Sequence, residues 1–377
     1  MKILINKIAP FKTDYAEKII KTIDDFCEKY HHDLILLNGR DEKIACRNAK
    51  RVSLKIPSGK VLYKAWFRIS FLAKIKKINP SLILTWDPLP LKGEIPQIVI
   101  APEEAGKVLV AYGNTAKSEI ERWKKFGEEV FITFSKKQSA ALENTLKIKP
   151  DRIFQIYKIP DEDVTLDLEP DFQKIKENYS KGNEFFFASG YKEKRNITLL
   201  LKSFSVFKKW QHSGMELLIS YEGDNQKSML EDLLKNYRFH ESVILIDRNE
   251  KDFFEIVRAA YAIIFDSVFD PDLKNFVFAM RNEVAVVAPE KSMYSEISGD
   301  EAAFLYQSDD KDSLARILLL AFREEDKKEK VVKVALEIVS AYHPGYFDRR
   351  FESVILGMMK DLSGTHSIKS VNSEKNQ

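Results

Sequence analysis

The stretch that decides the fold opens with FFFASGYKEKRNITLLLKSFSVF at residues 185–207 and continues with MELLISYEGDN at 215–225. It then runs through VILIDRNEKDFFEIVRAAYAIIFDSVFD at 243–270 and NEVAVVAPEKSMYSEISGDEAAFLY at 282–306. Short apolar runs that end in turn residues alternate here with segments of helical periodicity. Such alternation is typical of a parallel sheet with helices on both faces. This part of the chain is therefore predicted to form an α/β domain.

The first half of the chain alternates in the same way. It contains predicted strands at residues 2–7, 33–37, 81–86, 95–101, 130–134 and 152–158 and predicted helices at 14–30, 60–78, 116–126 and 136–145. Acidic residues, proline and lysine displace apolar residues between the two halves, which is typical of a linker. The predicted organisation is a first domain at 1–159, a linker at 160–182, a second domain at 183–340, a helical segment at 341–362 and a disordered tail at 363–377.

The composition describes a globular protein of two ordinary domains. The chain has 377 residues, of which 44% are hydrophobic and 31% charged, and its net charge of +3 does not indicate a nucleic-acid partner. No apolar run approaches the ~20 residues that cross a bilayer, and the first residues lack a secretory signal pattern. Its two cysteines, Cys27 and Cys46, are predicted to be buried free thiols. We therefore expect a cytoplasmic protein.

A basic turn follows the first strand of the second domain. Residues 189–196, SGYKEKRN, contain Gly190 and three cations, and Asn196 is a plausible cap for the helix that follows. Backbone amides, a helix N-terminus and cations together suit a phosphate-bearing ligand at the carboxyl end of a parallel strand. A solvated basic turn is the alternative interpretation.

The order of strands, turns and helices in 183–310 resembles the C-terminal domain of family-four, or group 1, glycosyltransferases. The resemblance implies a GT-B fold, with two Rossmann-like domains whose parallel sheets face each other across a cleft. The first domain would bind the acceptor and the second a nucleotide sugar, and the segment 341–362 would cross back to the first domain. It also implies that no metal or other cofactor is needed, and the six histidines form no ligand pattern at helical spacing.

Carried over residue by residue, the resemblance points to a donor site. Ser189, Gly190 and Arg195 fall on the family's glycine, arginine and lysine that hold the donor diphosphate, and Lys194 stands beside them. Asp270 falls on a glutamate near the donor sugar and is the candidate catalytic residue. This interpretation requires that no acidic side chain fill the place of the diphosphate.

Three further positions neighbour the donor site in the resembling family. Phe278 falls on the family's second glutamate, which lies near the ribose, although an aromatic residue in an apolar helix is more often part of the core. Ala279 keeps the family pattern, and Gly223 is retained after the second strand.

Acidic residues after two strands of the first domain are the candidates for contacting an acceptor. Asp87 follows the strand SLILTW, and Glu103 and Glu104 follow the strand at 95–101. For Asp87 the alternative is a turn residue before proline.

The predicted helix at 60–78 combines an apolar stripe with an excess of cations. Leu62, Trp66, Ile69 and Ala73 recur at helical spacing, which predicts packing on a sheet. The aromatic residues and cations also suit the surface of an anionic membrane. The cations are Lys60, Lys64, Arg68, Lys74, Lys76 and Lys77.

Taken together, these patterns predict a glycosyltransferase that moves a hexose from a nucleotide sugar to a glycan or a lipid-linked acceptor. The resemblance implies that the anomeric configuration is retained. Two alternatives stay open: an inactive GT-B protein that serves as a binding or partner subunit, and a peripheral membrane scaffold.

Overall fold

The computed structural model divides into two compact units, Met1–Lys158 with Phe347–Gln377, and Ile159–Tyr346. Each unit is described by itself. The structure describes residues 1–8, 15–39, 46–57, 62, 65–86, 89, 91, 95–101, 129–159, 170–266, 272–343 and 345–362. The predicted helix at 116–126 and the predicted tail at 363–377 lie outside these residues.

The first unit is built on a parallel sheet of seven strands in the order β3-β2-β1-β4-β5-β6-β7. Its strands are β1 Lys2–Asn6, β2 Asp33–Gly39, β3 Lys50–Leu54, β4 Leu82–Thr85, β5 Gln97–Ile100, β6 Val130–Thr133 and β7 Ile153–Gln155. The described helices of this unit are Ala16–Lys29, Leu72–Ile78, Lys136–Leu146 and Tyr346–Leu362, with a π-helical turn at Phe67–Phe71 and a 3₁₀ turn at Pro150–Arg152. The order is that of a doubly wound sheet. Strands are added on one side from β1 to β3 and on the other side from β4 to β7, so the strand order reverses between β1 and β4.

The second unit repeats this topology with a parallel sheet of six strands, ordered β10-β9-β8-β11-β12-β13. Its strands are β8 Phe185–Ser189, β9 Glu216–Tyr221, β10 Val243–Asp247, β11 Ala262–Phe265, β12 Ala285–Pro289 and β13 Phe304–Tyr306. Its described helices are Phe172–Ser180, Lys194–Gln211, Asp224–Leu234, Phe253–Ala259, Leu273–Arg281, Met293–Ser298, Lys311–Arg323 and Glu325–Ser340, with a 3₁₀ turn at His240–Ser242. The predicted α/β class and the two parallel sheets are confirmed.

The central strands form where the sequence is continuously apolar. Every residue of β8 is buried, and β8 pairs in parallel with β9 on one side and with β11 on the other. Helices cover both faces of such a sheet, so neither face needs polar residues. The strand order reverses between β8 and β11, where the sheet changes direction. In a doubly wound sheet, ligands bind at this place, beyond the carboxyl ends of the strands.

Two predictions about local structure need correction, and one strand was not predicted. Phe172–Ser180, inside the predicted linker at 160–182, form a helix that Asp171 caps through a hydrogen bond from the Lys174 amide (3.0 Å). Lys50–Leu54 form an edge strand that the sequence analysis missed, because an edge strand with a solvated face has no continuous apolar run. Cys46 is half-buried rather than buried, although both cysteines are free thiols.

The predicted packing stripe of the helix at 60–78 holds for only one of its four residues. Trp66 is half-buried and packs on the core of the first unit, whereas Leu62 (64%), Ile69 (72%) and Ala73 are exposed. Among the described residues of this segment, Phe71 and Ile75 are buried. The π-helical turn at Phe67–Phe71 adds a residue to one turn, so side chains beyond it face a different direction from that expected at ordinary helical spacing.

The last described helix, Tyr346–Leu362, packs against the helix Ala16–Lys29 of the first unit. Asp348 accepts a hydrogen bond from Lys18 (2.8 Å), and Glu352 accepts one from Lys29 (2.7 Å). The buried ring of Phe347 lies 4.9 Å from the ring of Tyr15, edge to face. This terminal helix is therefore part of the first unit.

Candidate functional site

The candidate site lies at the carboxyl end of β8, where the strand stops in a tight turn. Gly190 has φ of +81°, a left-handed conformation that glycine adopts at little cost. A Cβ atom at this position would meet the Asp272 Cβ at 3.7 Å, an ordinary contact. Glycine is therefore favoured here because φ is positive, and not because a larger side chain would clash with its neighbours.

The cations predicted to hold a diphosphate lie in the first turn of the helix Lys194–Gln211. Arg195 Nη2 lies 2.9 Å from Asp309 Oδ1, and the Arg195 side chain is 73% exposed. The side chain of Lys194 is exposed as well. An exposed ion pair of this kind contributes little to stability, so a ligand could exchange with Asp309 at small cost.

The predicted cap of this helix needs correction. The helix begins at Lys194, so Glu193 is the cap residue and Asn196 lies within the first turn. Lysine and arginine are good helix formers, which extends the helix towards the turn. The Asn196 amide instead donates to Asp266 Oδ2 (2.7 Å), which joins the helix to the end of β11. Burial raises the pKa of Asp266 from its ordinary 3.8 to about 6.

A polar cluster that the sequence analysis missed surrounds Ser189. The Ser189 hydroxyl donates to Asp272 Oδ2 (2.8 Å), and the Asn275 side-chain amide donates to the same oxygen (2.8 Å). Arg248 Nη2 lies 3.1 Å from that oxygen too. Asp272 also caps the helix Leu273–Arg281 through its other oxygen, which accepts from the Asn275 backbone amide (3.3 Å).

The position of Asp272 is fixed by the buried Tyr294, whose hydroxyl accepts a hydrogen bond from the Asp272 backbone amide (2.7 Å). An acidic side chain therefore lies beside Ser189, where the sequence interpretation required none. The spacing of Asp272 and Asn275 at the start of a helix is a capping pattern, which could have located the carboxylate from the sequence. Arg248 has no such local signal, because it follows a different strand.

The remaining donor-side candidates occupy ordinary structural positions. Gly223 has φ of +78° and precedes the helix Asp224–Leu234 as its cap. Phe278 is buried, as expected for a core residue, with its ring 4.8 Å from that of Phe254. Ala279 is fully buried. Asp270 lies outside the described residues.

In the first unit, the corresponding change of direction is marked by a buried polar pair. The Asn6 amide donates to Thr85 Oγ1 (3.1 Å), which joins the ends of β1 and β4. The acceptor-side candidates Asp87, Glu103 and Glu104 lie outside the described residues.

Two features are absent from the described part of the chain. It contains no group of three or more histidine, cysteine, aspartate or glutamate side chains placed to hold a metal ion. None of the helices in this part of the chain combines the length and the apolar character needed to span a bilayer.

Comparison with known proteins gives a family match over most of the second unit. Residues 169–337 match the family model described as glycosyl transferases group 1. No curated protein sequence matches the chain significantly. The family match confirms the sequence-based resemblance, and the expected enzyme class, a glycosyltransferase, is confirmed at the level of this family.

Solved structures confirm the GT-B fold. A glycosyltransferase from Rickettsia africae is similar with a TM-score of 0.68 and 14% identity, over 97% of this chain and 99% of that one. The lipopolysaccharide glycosyltransferase WaaG is similar with a TM-score of 0.60 and 12% identity, over 95% and 100%. HepE from Anabaena, solved with UDP and glucose, is similar with a TM-score of 0.59 and 12% identity, over 96% and 100%.

Proposed function

We propose that the protein transfers a hexose from a nucleotide sugar to a hydroxyl group of a glycan or a lipid-linked acceptor, with retention of the anomeric configuration. The observation that carries this proposal is the turn at Ser189 and Gly190, which stands at the carboxyl end of β8 where the sheet changes direction. Nucleotides bind doubly wound sheets at such a place. The solved complexes of HepE with UDP and glucose and with UDP-glucose support a donor of this class.

The chemistry asks little of the protein beyond charge and position. The bond between the anomeric carbon and a phosphate oxygen breaks, a new bond forms to the acceptor oxygen, and the acceptor proton passes to the leaving diphosphate. Negative charge grows on that diphosphate as the bond breaks. Amides of the Ser189–Gly190 turn, the start of the helix Lys194–Gln211 and Arg195 would stabilise this charge, and Asp270 would contact the sugar.

The test is transfer activity with a panel of nucleotide sugars. Purified protein is incubated with each donor and with glycan or lipid-linked acceptors, and release of the nucleoside diphosphate is measured. We expect turnover with one donor, and we expect Arg195→Ala and Asp270→Ala each to reduce it. Arg316→Ala is the matched control, because Arg316 forms a similar exposed ion pair with Asp310 (3.5 Å). Turnover that survives both substitutions would refute the assignment of the site.

A second candidate function is a partner subunit that keeps the fold without using a donor. It is favoured by the carboxylate of Asp272, which takes up the hydrogen-bond donors around Ser189. Calorimetric titration with uridine and guanosine diphosphates separates the two functions. A transferase binds one of these nucleotides, whereas a partner subunit binds neither.

We also propose that the protein contacts an anionic membrane surface through the segment at 60–78. Leu62 and Ile69 expose apolar side chains, and Lys74, Lys76 and Lys77 lie on the exposed surface of the same segment. Apolar insertion and attraction to anionic lipid headgroups act together at such a surface. Lys60, Lys64 and Arg68 are the other cations proposed to take part.

Sedimentation with vesicles tests this contact. Replacing Lys74, Lys76 and Lys77 by glutamine should abolish binding to vesicles that contain phosphatidylserine, and Ile69→Ser should weaken it. The control replaces Lys327, Lys330 and Lys333, three exposed lysines of the helix Glu325–Ser340, with glutamine. Equal loss of binding in both triple variants would show only a general charge effect and would contradict the proposed surface.

A further inference from the structure

Three hydrogen-bond donors converge on one oxygen atom, Oδ2 of Asp272. Ser189 Oγ lies 2.8 Å from it, the Asn275 side-chain amide 2.8 Å and Arg248 Nη2 3.1 Å. The three donors come from the end of β8, the residue after β10 and the first turn of the helix Leu273–Arg281. The fold therefore assembles a binding site for a single anionic oxygen at the edge where the sheet changes direction. This site, the seat, consists of the hydrogen-bond donors of Ser189, Asn275 and Arg248.

The seat is enclosed rather than a solvated turn. Ser189 and Asn275 are fully buried, and the side chains of Asp272 and Arg248 are 8% and 27% exposed. Hydrogen bonds to a charged oxygen are stronger in such surroundings than in water, and a guanidinium is well suited to carboxylate and phosphate oxygens alike. An oxygen of a bound phosphate group would make the same set of contacts that the Asp272 oxygen makes.

The second arginine near this turn, Arg195, is arranged differently from Arg248. Arg195, which the family resemblance puts at the diphosphate, points to Asp309 and is 73% exposed. Arg248 is the more enclosed of the two guanidinium groups, and it is bonded to the same carboxylate oxygen as Ser189. The geometry therefore favours Arg248 as the cation nearest to a ligand at the Ser189 turn.

We propose that Arg248, Ser189 and Asn275 hold a phosphate oxygen of the donor, and that Asp272 competes with the donor for this seat. The proposal rests on the proposed function, since it takes the ligand to be a nucleoside diphosphate group. Two negative charges cannot share one set of donors without a large cost. The donor must therefore turn the Asp272 carboxylate away when it binds, which makes Asp272 a residue that sets donor affinity.

Calorimetric titration of the full chain with uridine diphosphate, guanosine diphosphate and inorganic pyrophosphate tests the competition. Asp272→Ser removes the carboxylate and keeps a residue that caps helices well. We expect this variant to bind its preferred diphosphate at least about tenfold more tightly than the wild type, because a like charge has left the seat. Adding Arg248→Gln should remove the gain.

Two controls separate the seat from general effects on folding. Asp171→Ser makes the same change at another helix cap of the same unit, and it should leave diphosphate binding unchanged. Asp272→Asn removes the charge without shortening the side chain and should give a smaller gain than Asp272→Ser. Circular dichroism establishes that each variant is folded, and Asp272→Asn decides the question should Asp272→Ser fail to fold.

The outcomes distinguish this inference from the proposed function. If the wild type binds a diphosphate and transfers sugar while neither Asp272 variant binds more tightly, the inference is wrong and the function stands. If only the Asp272 variants bind and the wild type transfers nothing, the seat is supported and the wild type is not an active transferase. If no form of the protein binds any of the three ligands, both are wrong.

Discussion

Replacing Asp266 with asparagine should stabilise the second unit at neutral and alkaline pH. Asp266 follows β11, and burial raises the pKa of its carboxyl from 3.8 to about 6. The folded state therefore holds this proton more tightly than the unfolded state does. The stability that comes from the protonated carboxyl is present in full below about pH 4 and is lost as the pH rises through about 6.

The size of the effect follows from the two pKa values. The difference between 3.8 and about 6 corresponds to about 3 kcal/mol at pH 8. Asp266 is only half-buried, so solvent reduces this figure to about 2 kcal/mol. An asparagine has nearly the same shape, does not ionise, and its carbonyl oxygen can accept the hydrogen bond that Asn196 donates at 2.7 Å.

Scanning calorimetry at pH 4 and pH 8 measures the prediction. Asp266→Asn should raise the melting temperature of the second unit by about 5 °C at pH 8 and leave it nearly unchanged at pH 4. Asp300→Asn, at an exposed acid of the same unit, is the control and should have no effect at pH 8. A lower melting temperature for Asp266→Asn at pH 8, or an equal shift at both pH values, would refute the reasoning.

Three other substitutions test the fold and the site. Phe278→Glu introduces the family's glutamate at a position that is 8% exposed. It should lower the free energy of unfolding, measured in urea, by about 3 kcal/mol without increasing transfer activity. A stable and more active variant would contradict this. Gly190→Ala should lower stability by about 1 kcal/mol or more because φ is +81°, and an unchanged midpoint would show that the turn is not strained. Gly357 lies within the helix Tyr346–Leu362, and a Cβ atom added there would meet no other atom. Gly357→Ala should therefore stabilise the first unit by about 0.5–1 kcal/mol. A lower melting temperature would argue against that helix.

The two parallel sheets could be anticipated because buried parallel strands are continuous apolar runs. The apolar run around Phe187 in β8, and the runs that form the neighbouring strands β9 and β11, clearly predict buried strands. The edge strand Lys50–Leu54 has a solvated face and gives no such signal. The helix Phe172–Ser180 was missed because its charged residues read as a linker, although Asp171 provides a cap.

The polar cluster at the site could not be predicted as a unit. Ser189, Arg248 and Asp272 are separated by long stretches of chain, and only the pairing of the strands brings them together. A family pattern read along the sequence instead emphasises Arg195, because that residue follows Ser189 closely. Which guanidinium group lies in the enclosed position depends on packing, and sequence spacing does not contain this information.

A structure of the protein with a bound nucleoside diphosphate tests the central claim most directly. The account predicts a phosphate group against the Gly190 amide and Arg248, with the Asp272 side chain turned away from Ser189. A diphosphate bound elsewhere in the second unit, or one that leaves the Asp272 hydrogen bonds to Ser189 and Asn275 in place, would contradict it.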